Sequence, residues 1–495
     1  MSETGYPDKR NPANICWMKV SAQKEQGHMQ LKEYFWVPKE EQMNDPSRVG
    51  LAQLAFPIIL ENVLRSTVGM VDVLFLSRVS DAVVSAVSVS NQFIMFCYII
   101  SMAMANGATV CINQAIGMKN MKKVNLLATI AVVANAVVGV LFGLVFLCTP
   151  GTLLKIMTLD AEATDAACKY LMVCGGLMVF QTVEIVVQNI CRSMGKIRAP
   201  LVISFFSNIV NVVGNYLAIY HPEYFFNLEP VVGVAVATVL SRFVALVISV
   251  VIAGRCGLRC SLKYLNPFPK ESFRLVLSIG IPSGINMMAY SLSQIVTSSI
   301  ISMLGISMLA AKVYVSNIVQ YVAIIGMSFS SASTIMVGYR IGAGEYEEAN
   351  KIRSIVTAIA LISNGLISLI ILAARYPLLG MFTQDPEIIA LASSVFFIDF
   401  FVEIGRALNN SLSGALQAAG DVKFQLIVNQ ASAWIVAVGG SYLLAIVLGL
   451  GLNGIWISFA CDELTRGLIL LYRWKSGAWM AGAEQKRSII ADDSV

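Results

Sequence analysis

Charge is what this sequence lacks. Only 13% of its 495 residues are Asp, Glu, Lys or Arg, while 57% are apolar; an ordinary soluble domain carries roughly 25% charged residues. A chain so short of polar side chains cannot coat water-soluble domains, so it reads as an integral membrane protein, and disorder and fibrous repeats are excluded. Histidine is scarcer still. His28 lies in a polar tail and His221 in a loop, which leaves a His-based zinc site or an intramembrane proton relay without ligands. The ten cysteines fall mostly inside apolar runs, where a thiol behaves as a small hydrophobe rather than as part of a disulfide scaffold. Cys256 and Cys260 could bind a metal in principle, but no metal or cofactor is expected.

Long apolar runs are abundant. About 20 apolar residues in a helix cross a ~30 Å hydrocarbon layer, and twelve such stretches occur near 50–77, 82–110, 121–148, 166–190, 199–220, 231–254, 273–301, 309–338, 351–374, 388–412, 423–447 and 451–473. The polar segment 1–49 lacks a short apolar core behind a basic start, so it reads as a soluble tail rather than a signal peptide. The spans predict an all-α polytopic protein of five parts: a polar tail 1–49, a six-helix lobe 50–254, a linker 255–272, a second six-helix lobe 273–475 and a tail 476–495.

An even number of spans puts both termini on one side. Five basic residues (Arg78, Lys155, Lys169, Lys312 and Arg375) fall on the opposite side and four (Arg65, Arg242, Arg406 and Arg466) within spans; the others lie on the side of the tails. By the positive-inside rule both termini face the cytoplasm of a multi-pass cell-membrane protein. The net charge of +5 expresses that bias and is no signal for nucleic acid.

The chain resembles itself at an offset of about 225 residues: Val87-Ser-Val-Ser-Asn91 returns as Val313-Tyr-Val-Ser-Asn317, Ile116-Gly117 as Ile341-Gly342, Gly195-Lys196 as Gly420-Asp421, and Pro57 as Pro282. Six spans return the chain to its starting side, so the halves are parallel repeats related by an axis along the membrane normal. Transporters are built this way, with the site between the halves. Pro57 and Pro282 each remove a backbone hydrogen bond within a span and could bend it. The Asp-Asp pair Asp492-Asp493 sits in the terminal tail, no run resembles a selectivity filter, and an enzyme is not expected.

An ionisable residue inside a span is costly and points to function. On the first span Glu61, Arg65 and Asp72 share one helical face; Glu61 and Arg65, four apart, can neutralise each other, whereas Asp72 has no basic neighbour a turn away. Asp399, Glu403, Arg406 and Asn410 form a second stripe on the tenth span, with Glu403 in reach of Arg406. Gln181, Glu184, Gln188 and Arg192 share a face of the fourth span, and Asp462 and Glu463 can both reach Arg466 on the twelfth. Asn208, Asn211 and Asn215 line one face of the fifth span, and Asn286, Tyr290, Ser293 and Thr297 one face of the seventh; such side chains coordinate cations or bond between helices. Twenty-two Met and twenty-three Phe supply soft, adaptable surface.

These residues resemble a family. Pro57-Ile-Ile-Leu-Glu-Asn, Val71-Asp72-Val-Leu-Phe-Leu-Ser-Arg78, the Ile116-Gly117 loop, Ile279-Gly-Ile-Pro-Ser-Gly284, Val337-Gly-Tyr-Arg-Ile-Gly-Ala-Gly344 and Ala418-Ala-Gly-Asp421 are similar to segments of the multidrug and toxic compound extrusion (MATE) family. Glu403-Ile-Gly-Arg-Ala-Leu-Asn409 and Asp462-Glu-Leu-Thr-Arg-Gly467 look like those of certain bacterial members. The likeness covers roughly residues 50 to 475. It implies an antiporter that expels cationic lipophilic drugs in exchange for protons or sodium ions, by alternating access between two lobes. Asp72 stands where the family has its functional aspartate and Asn211 where it has an asparagine. Asn215 replaces an aspartate of many members, and Tyr290 a glutamate of another branch.

The expected coupling-cation residues are Asp72, Asn211, Asn215 and Glu403, and those of the substrate cavity Glu61, Asn91, Asn286, Tyr290 and Asn317. The expected partners are cationic small molecules and the bilayer, with no nucleic acid, for a protein acting as a monomer. A flippase for an anionic lipid-linked oligosaccharide would need a basic cavity. The embedded arginines other than Arg242 each have an acidic neighbour in sequence, which argues against it. An intramembrane enzyme would need a convergent nucleophile or metal cluster.

Overall fold

The structure is a computed structural model that describes residues 34–37, 48–155, 160–225 and 227–491, with the side chains of 67–74 and 81–82 outside the description. Twelve long helices follow one another: α1 Leu51–Leu76, α2 Asp81–Gly117, α3 Met121–Cys148, α4 from Ala161 to Ser193, α5 Arg198–Tyr220, α6 Pro230–Arg255, α7 Lys270–Leu304, α8 Ile306–Ala343, α9 Tyr346–Ala373, α10 Pro386–Ala418, α11 Val422–Val447 and α12 Gly451–Lys475. A shorter α13, Met480–Ala491, comes last. Among the described residues nine helices are long and apolar enough to cross a membrane, ten with bent α4. The other two are α1, whose side chains are partly undescribed, and α12, which carries Asp462, Glu463 and Arg466 mid-helix.

Local chemistry explains the boundaries. Ser80, Asn120 and Asp160 cap α2, α3 and α4 by accepting from Val83, Lys123 and Ala163 backbone N–H groups at 3.2, 3.0 and 2.8 Å. Pro230 and Pro386 open α6 and α10, where a missing N–H costs nothing, and Gly344, at φ 81°, ends α8 in the left-handed conformation. Pro57 and Pro282 lie inside α1 and α7 without interrupting either helix. The interruption falls instead in α4, which widens at Leu171–Gly175 and turns by 45° before Val179.

Three hydrophobic cores organise the helices. The end of the molecule that carries the 256–269 linker is held by one core drawn from both halves, including Leu54, Val110, Ile112 and Ile190 from the first and Ala332, Tyr339, Leu416 and Trp479 from the second. At the far end the halves are cored separately: one cluster contains residues from Leu76 to Val239, the other from Ile301 to Ala460. The two six-helix halves therefore join at the linker end and part at the far end. Outward, Leu141, Phe205, Ile370, Phe397 and Ile435 are 51–72% exposed, an apolar belt suited to lipid.

At the joint, small residues bring backbones together, as between helices in lipid. A Cβ on Gly107 of α2 would lie 2.8 Å from the Gly280 nitrogen of α7. Gln114 Nε2 of α2 donates to the Ala418 carbonyl of α10 at 2.6 Å, and the Tyr339 hydroxyl of α8 donates to the Ser193 carbonyl at the end of α4. The regions read from sequence as tails also supply contacts. Val37 N–H donates to Gln53 Oε1 at 3.0 Å, and α13 buries Ala483 and Ile490 in the shared core.

Candidate functional site

Where the halves part, a cavity of about 330 Å³ lies between them, at the lower end of the ~300–1,000 Å³ range of small-molecule sites. All its charges come from the first half. Glu61 and Arg65 face it from α1, and Arg192 with Gln188 and Asn189 from α4. Glu61 is 4% exposed and serves two guanidinium groups, Arg192 Nη2 at 2.8 Å and Arg65 Nη2 at 3.4 Å. Arg65 Nη2 also donates to Gln188 Oε1 at 3.0 Å, Gln188 Nε2 to Glu184 Oε1 at 2.8 Å, and Arg192 Nη1 to Asn189 Oδ1 at 3.0 Å. The second half contributes Met287, Met327, Ser331, Thr334, Asn410 and Gln417, none of them charged.

The first half holds a second cavity of about 540 Å³, lined by Asn91, Glu184, Asn208, Asn211, Thr238 and Arg242 among others, and reached by Arg65 from its wall. Asn211 Nδ2 donates to Thr238 Oγ1 at 3.4 Å and Asn215 Nδ2 to Asn211 Oδ1 at 3.3 Å; both asparagines are buried. Asp72 lies on α1, along which α5 packs, but its side chain is outside the described residues.

A third cavity, about 300 Å³, opens in the second half. Around it the two acidic stripes of α10 and α12 merge into one cluster. Glu403 pairs with Arg406 and accepts weakly from Asn364 Nδ2 at 3.5 Å. Glu463 accepts from Asn409 Nδ2 at 2.8 Å and meets Arg466 at 3.2 Å and Arg406 at 3.6 Å. Asp462 pairs with Arg466 and accepts from Ser432 at 2.6 Å. Asp399 accepts from the Trp456 indole at 3.0 Å, and Lys312 Nζ donates to Ser298 at 2.8 Å. Four carboxylates thus meet Arg406 and Arg466, and Lys312 is a third cation on the cavity wall.

The sequence-derived candidates distribute over all three cavities. Glu61 is in the central one, Asn91 and Asn211 in that of the first half with Asn215 beside them, and Tyr290 in that of the second half, its ring 6.0 Å from the Arg466 guanidinium carbon. Glu403 backs the last cavity through Arg406. Asn286 accepts from Gln430 Nε2 at 2.9 Å between α7 and α11, and Asn317 is exposed on α8. The five substrate-cavity candidates do not share one chamber. Among the described residues no group of three or more His, Cys, Asp or Glu is placed to hold a metal.

Arg192 is the central-cavity residue whose pairing spacing does not reveal. It shares a helical face with Gln188, but its partner Glu61 lies 131 positions earlier. The available signal is the Gly175-Gly176 pair: adjacent glycines permit a wide turn and kink, and the 45° bend precedes the α4 segment that carries Arg192 toward α1. Lys312 likewise joins the acidic cluster from distant α8, and Ser432 of α11 and Trp456 of α12 meet Asp462 and Asp399 across helices.

Two six-helix halves, a shared core at one end and a polar cavity between them are the architecture of a membrane transporter. The chain matches the MatE family model over residues 57–217 and 282–443, and it belongs to that family. It is 33% identical to the uncharacterized transporter YisQ of Bacillus subtilis, over 87% of this chain and 95% of that one. It is 29% identical to the probable multidrug resistance protein NorM of Thermotoga maritima, over 93% and 97%. Among solved structures, MATE in the bent conformation superposes with a TM-score of 0.80 at 19% identity, covering 88% of this chain and 96% of that one. An outward-facing multidrug resistance MATE transporter superposes with 0.76 at 19%, covering 90% and 99%. The protein is a multi-pass membrane transporter of the multidrug efflux family and not an enzyme.

Proposed function

We propose that the chain is a secondary active antiporter that exports cationic lipophilic drugs and toxins in exchange for entering protons or sodium ions. It acts as a monomer, with both termini and the linker end in the cytoplasm, and its two halves rock about the shared core. The observation that carries this reading is the pairing of the central inter-half cavity with two separately cored far ends. Only the linker end must open, and the far end close, for the cavity to change sides. In this reading the described arrangement is the outward-open one.

Coupling is assigned to Asp72 with Asn211 and Asn215 in the first half, and to Glu403 in the second. What supports the first assignment is a cavity walled by buried, mutually bonded amides on the helix packed along α1. What supports the second is the surplus of one carboxylate in the α10–α12 cluster, a charge that one proton or one sodium ion would neutralise.

The test is ethidium uptake into proteoliposomes under separately imposed pH and sodium gradients, for wild type, Asp72→Asn and Glu403→Gln. One gradient should drive uptake and Asp72→Asn should abolish it. Uptake under neither gradient overturns antiport; full coupling in Asp72→Asn removes that residue from the mechanism and leaves Glu403.

A further inference from the structure

We infer that the central cavity takes an amphiphile bearing an anionic group, a carboxylate above all, and holds that group between Arg65 and Arg192. The inference names the cargo of the exporter proposed above and rests on that reading for transport, though not for binding. A zwitterion, which also carries the cationic centre expected of the family's drugs, satisfies both.

The argument is one of charge and unused donors. Two guanidinium groups share the Glu61 carboxylate, so the cavity wall carries one uncompensated positive charge among the described residues. Glu184 attracts Arg65 from the neighbouring cavity but shares its charge there with Arg242, so Arg65, Arg192 and Arg242 together face two carboxylates, Glu61 and Glu184. Asp72 lies seven residues beyond Arg65 on α1, about 10 Å along the axis, nearly two turns from the level of the pair. The opposite wall supplies no charge of either sign.

A guanidinium has five N–H donors and forms its strongest bonds with carboxylate oxygens. Arg65 directs only Nη2 to Glu61 and Gln188, and its side chain is 37% exposed. Arg192 engages Glu61 and Asn189 through its two terminal nitrogens, each of which keeps a second N–H, while its Nε is buried away from the cavity. Donors therefore remain for an incoming anion in a site whose low dielectric strengthens the attraction. The apolar body of the cargo meets Met102, Met287, Met327 and Tyr98, surfaces that adapt to different shapes. Pairing each embedded arginine with its neighbour in sequence makes the cavity look neutral; Arg192, arriving from the end of α4, makes it basic.

The test compares two fluorophores that differ by one carboxylate: Nε-dansyl-lysine, a zwitterion, and dansylcadaverine, its decarboxylated cationic counterpart. Each is titrated into the purified full chain in detergent at neutral pH. Wild type should bind dansyl-lysine about tenfold more tightly, in line with a charge-assisted hydrogen bond. That ratio should fall to within about twofold in Arg192→Gln and Arg65→Gln, and should rise in Glu61→Gln, which frees both guanidinium groups. Absence of a wild-type preference, through equal binding or through none, overturns the inference, as does an unchanged ratio in both arginine variants. The wild-type ratio decides even where a variant does not fold. Gradient-driven ethidium uptake by the same preparation separates the two readings. Uptake without preference for dansyl-lysine overturns this inference alone; preference without uptake overturns the export reading alone.

Discussion

Gln114 and Ala418 join the two halves of the molecule: the Gln114 amide donates to the Ala418 carbonyl at 2.6 Å, and both residues are at most 1% exposed. In the rocking reading this bond breaks when the linker end opens. Replacing Gln114 by Leu keeps the volume and leaves a buried carbonyl unpaired, which costs about 1–3 kcal/mol, all of it in the closed state. The expected outcome is a shift toward opening at the linker end by roughly tenfold. Maleimide labelling of Cys111, fully buried in the shared core, reads it, in a background lacking Cys16, Cys148, Cys168, Cys256, Cys260 and Cys461. An unchanged labelling rate would show that this bond does not hold the halves together.

Close backbone contact at the joint gives a paired prediction. A side chain at Gly107 would strike the α7 backbone near Gly280, so Gly107→Val should lower stability by about 1–3 kcal/mol, as overpacking does. Gly254 on α6 has nothing within 4 Å of an added Cβ. Gly254→Ala should be neutral or stabilise by up to about 1 kcal/mol, because alanine loses less backbone entropy in a helix. Thermal unfolding of the two variants in one detergent checks both signs.

Glu463 is the hub of the acidic cluster, bonded to Asn409 and close to Arg406 and Arg466. Glu463→Leu takes a second carboxylate from Arg466 and Arg406, which keep Asp462 and Glu403, and leaves the buried Asn409 amide without its acceptor, so it should destabilise by about 1–3 kcal/mol. Asp399→Asn keeps an acceptor for the Trp456 indole and should change unfolding by under about 1 kcal/mol. Comparable losses in the two variants would argue against this division of roles.

Trp479 anchors α13. It is 1% exposed, stacks on Trp474 with ring centroids 4.2 Å apart and meets Tyr346 edge-on. Trp479→Ala should cost about 3–5 kcal/mol. It should also raise protease sensitivity around residues 480–491; resistance equal to wild type would mean that α13 is held by other contacts.

Apolar runs are legible in sequence because lipid imposes one requirement on every span, and α3 occupies 121–148, the stretch its hydropathy marks out. Helix ends are less legible. α2 continues past 110 to Gly117 because Asn113 and Gln114, polar residues that hydropathy places in a loop, are buried where the halves meet. The repeat likewise conveys the six-plus-six plan, since Gly117 and Gly342 both permit close helix approach at the joint. Charge partners are different. Pairs three or four residues apart, such as Glu61–Arg65 and Glu403–Arg406, follow from helical spacing, whereas Arg192–Glu61 and Trp456–Asp399 depend on how separate helices are bent and set side by side. The charge of the central cavity is decided by that second kind of contact.

The most direct test of rocking about the shared core is a pair of distances measured by double electron–electron resonance. Spin labels at Thr152 and Met381 report the far end, and labels at Lys122 and Glu347 the linker end; all four positions are exposed. Changing pH, sodium and dye should produce a population in which the Thr152–Met381 distance shortens while the Lys122–Glu347 distance lengthens. Two distances that stay fixed under every condition, or that lengthen together, would contradict alternating access by these halves.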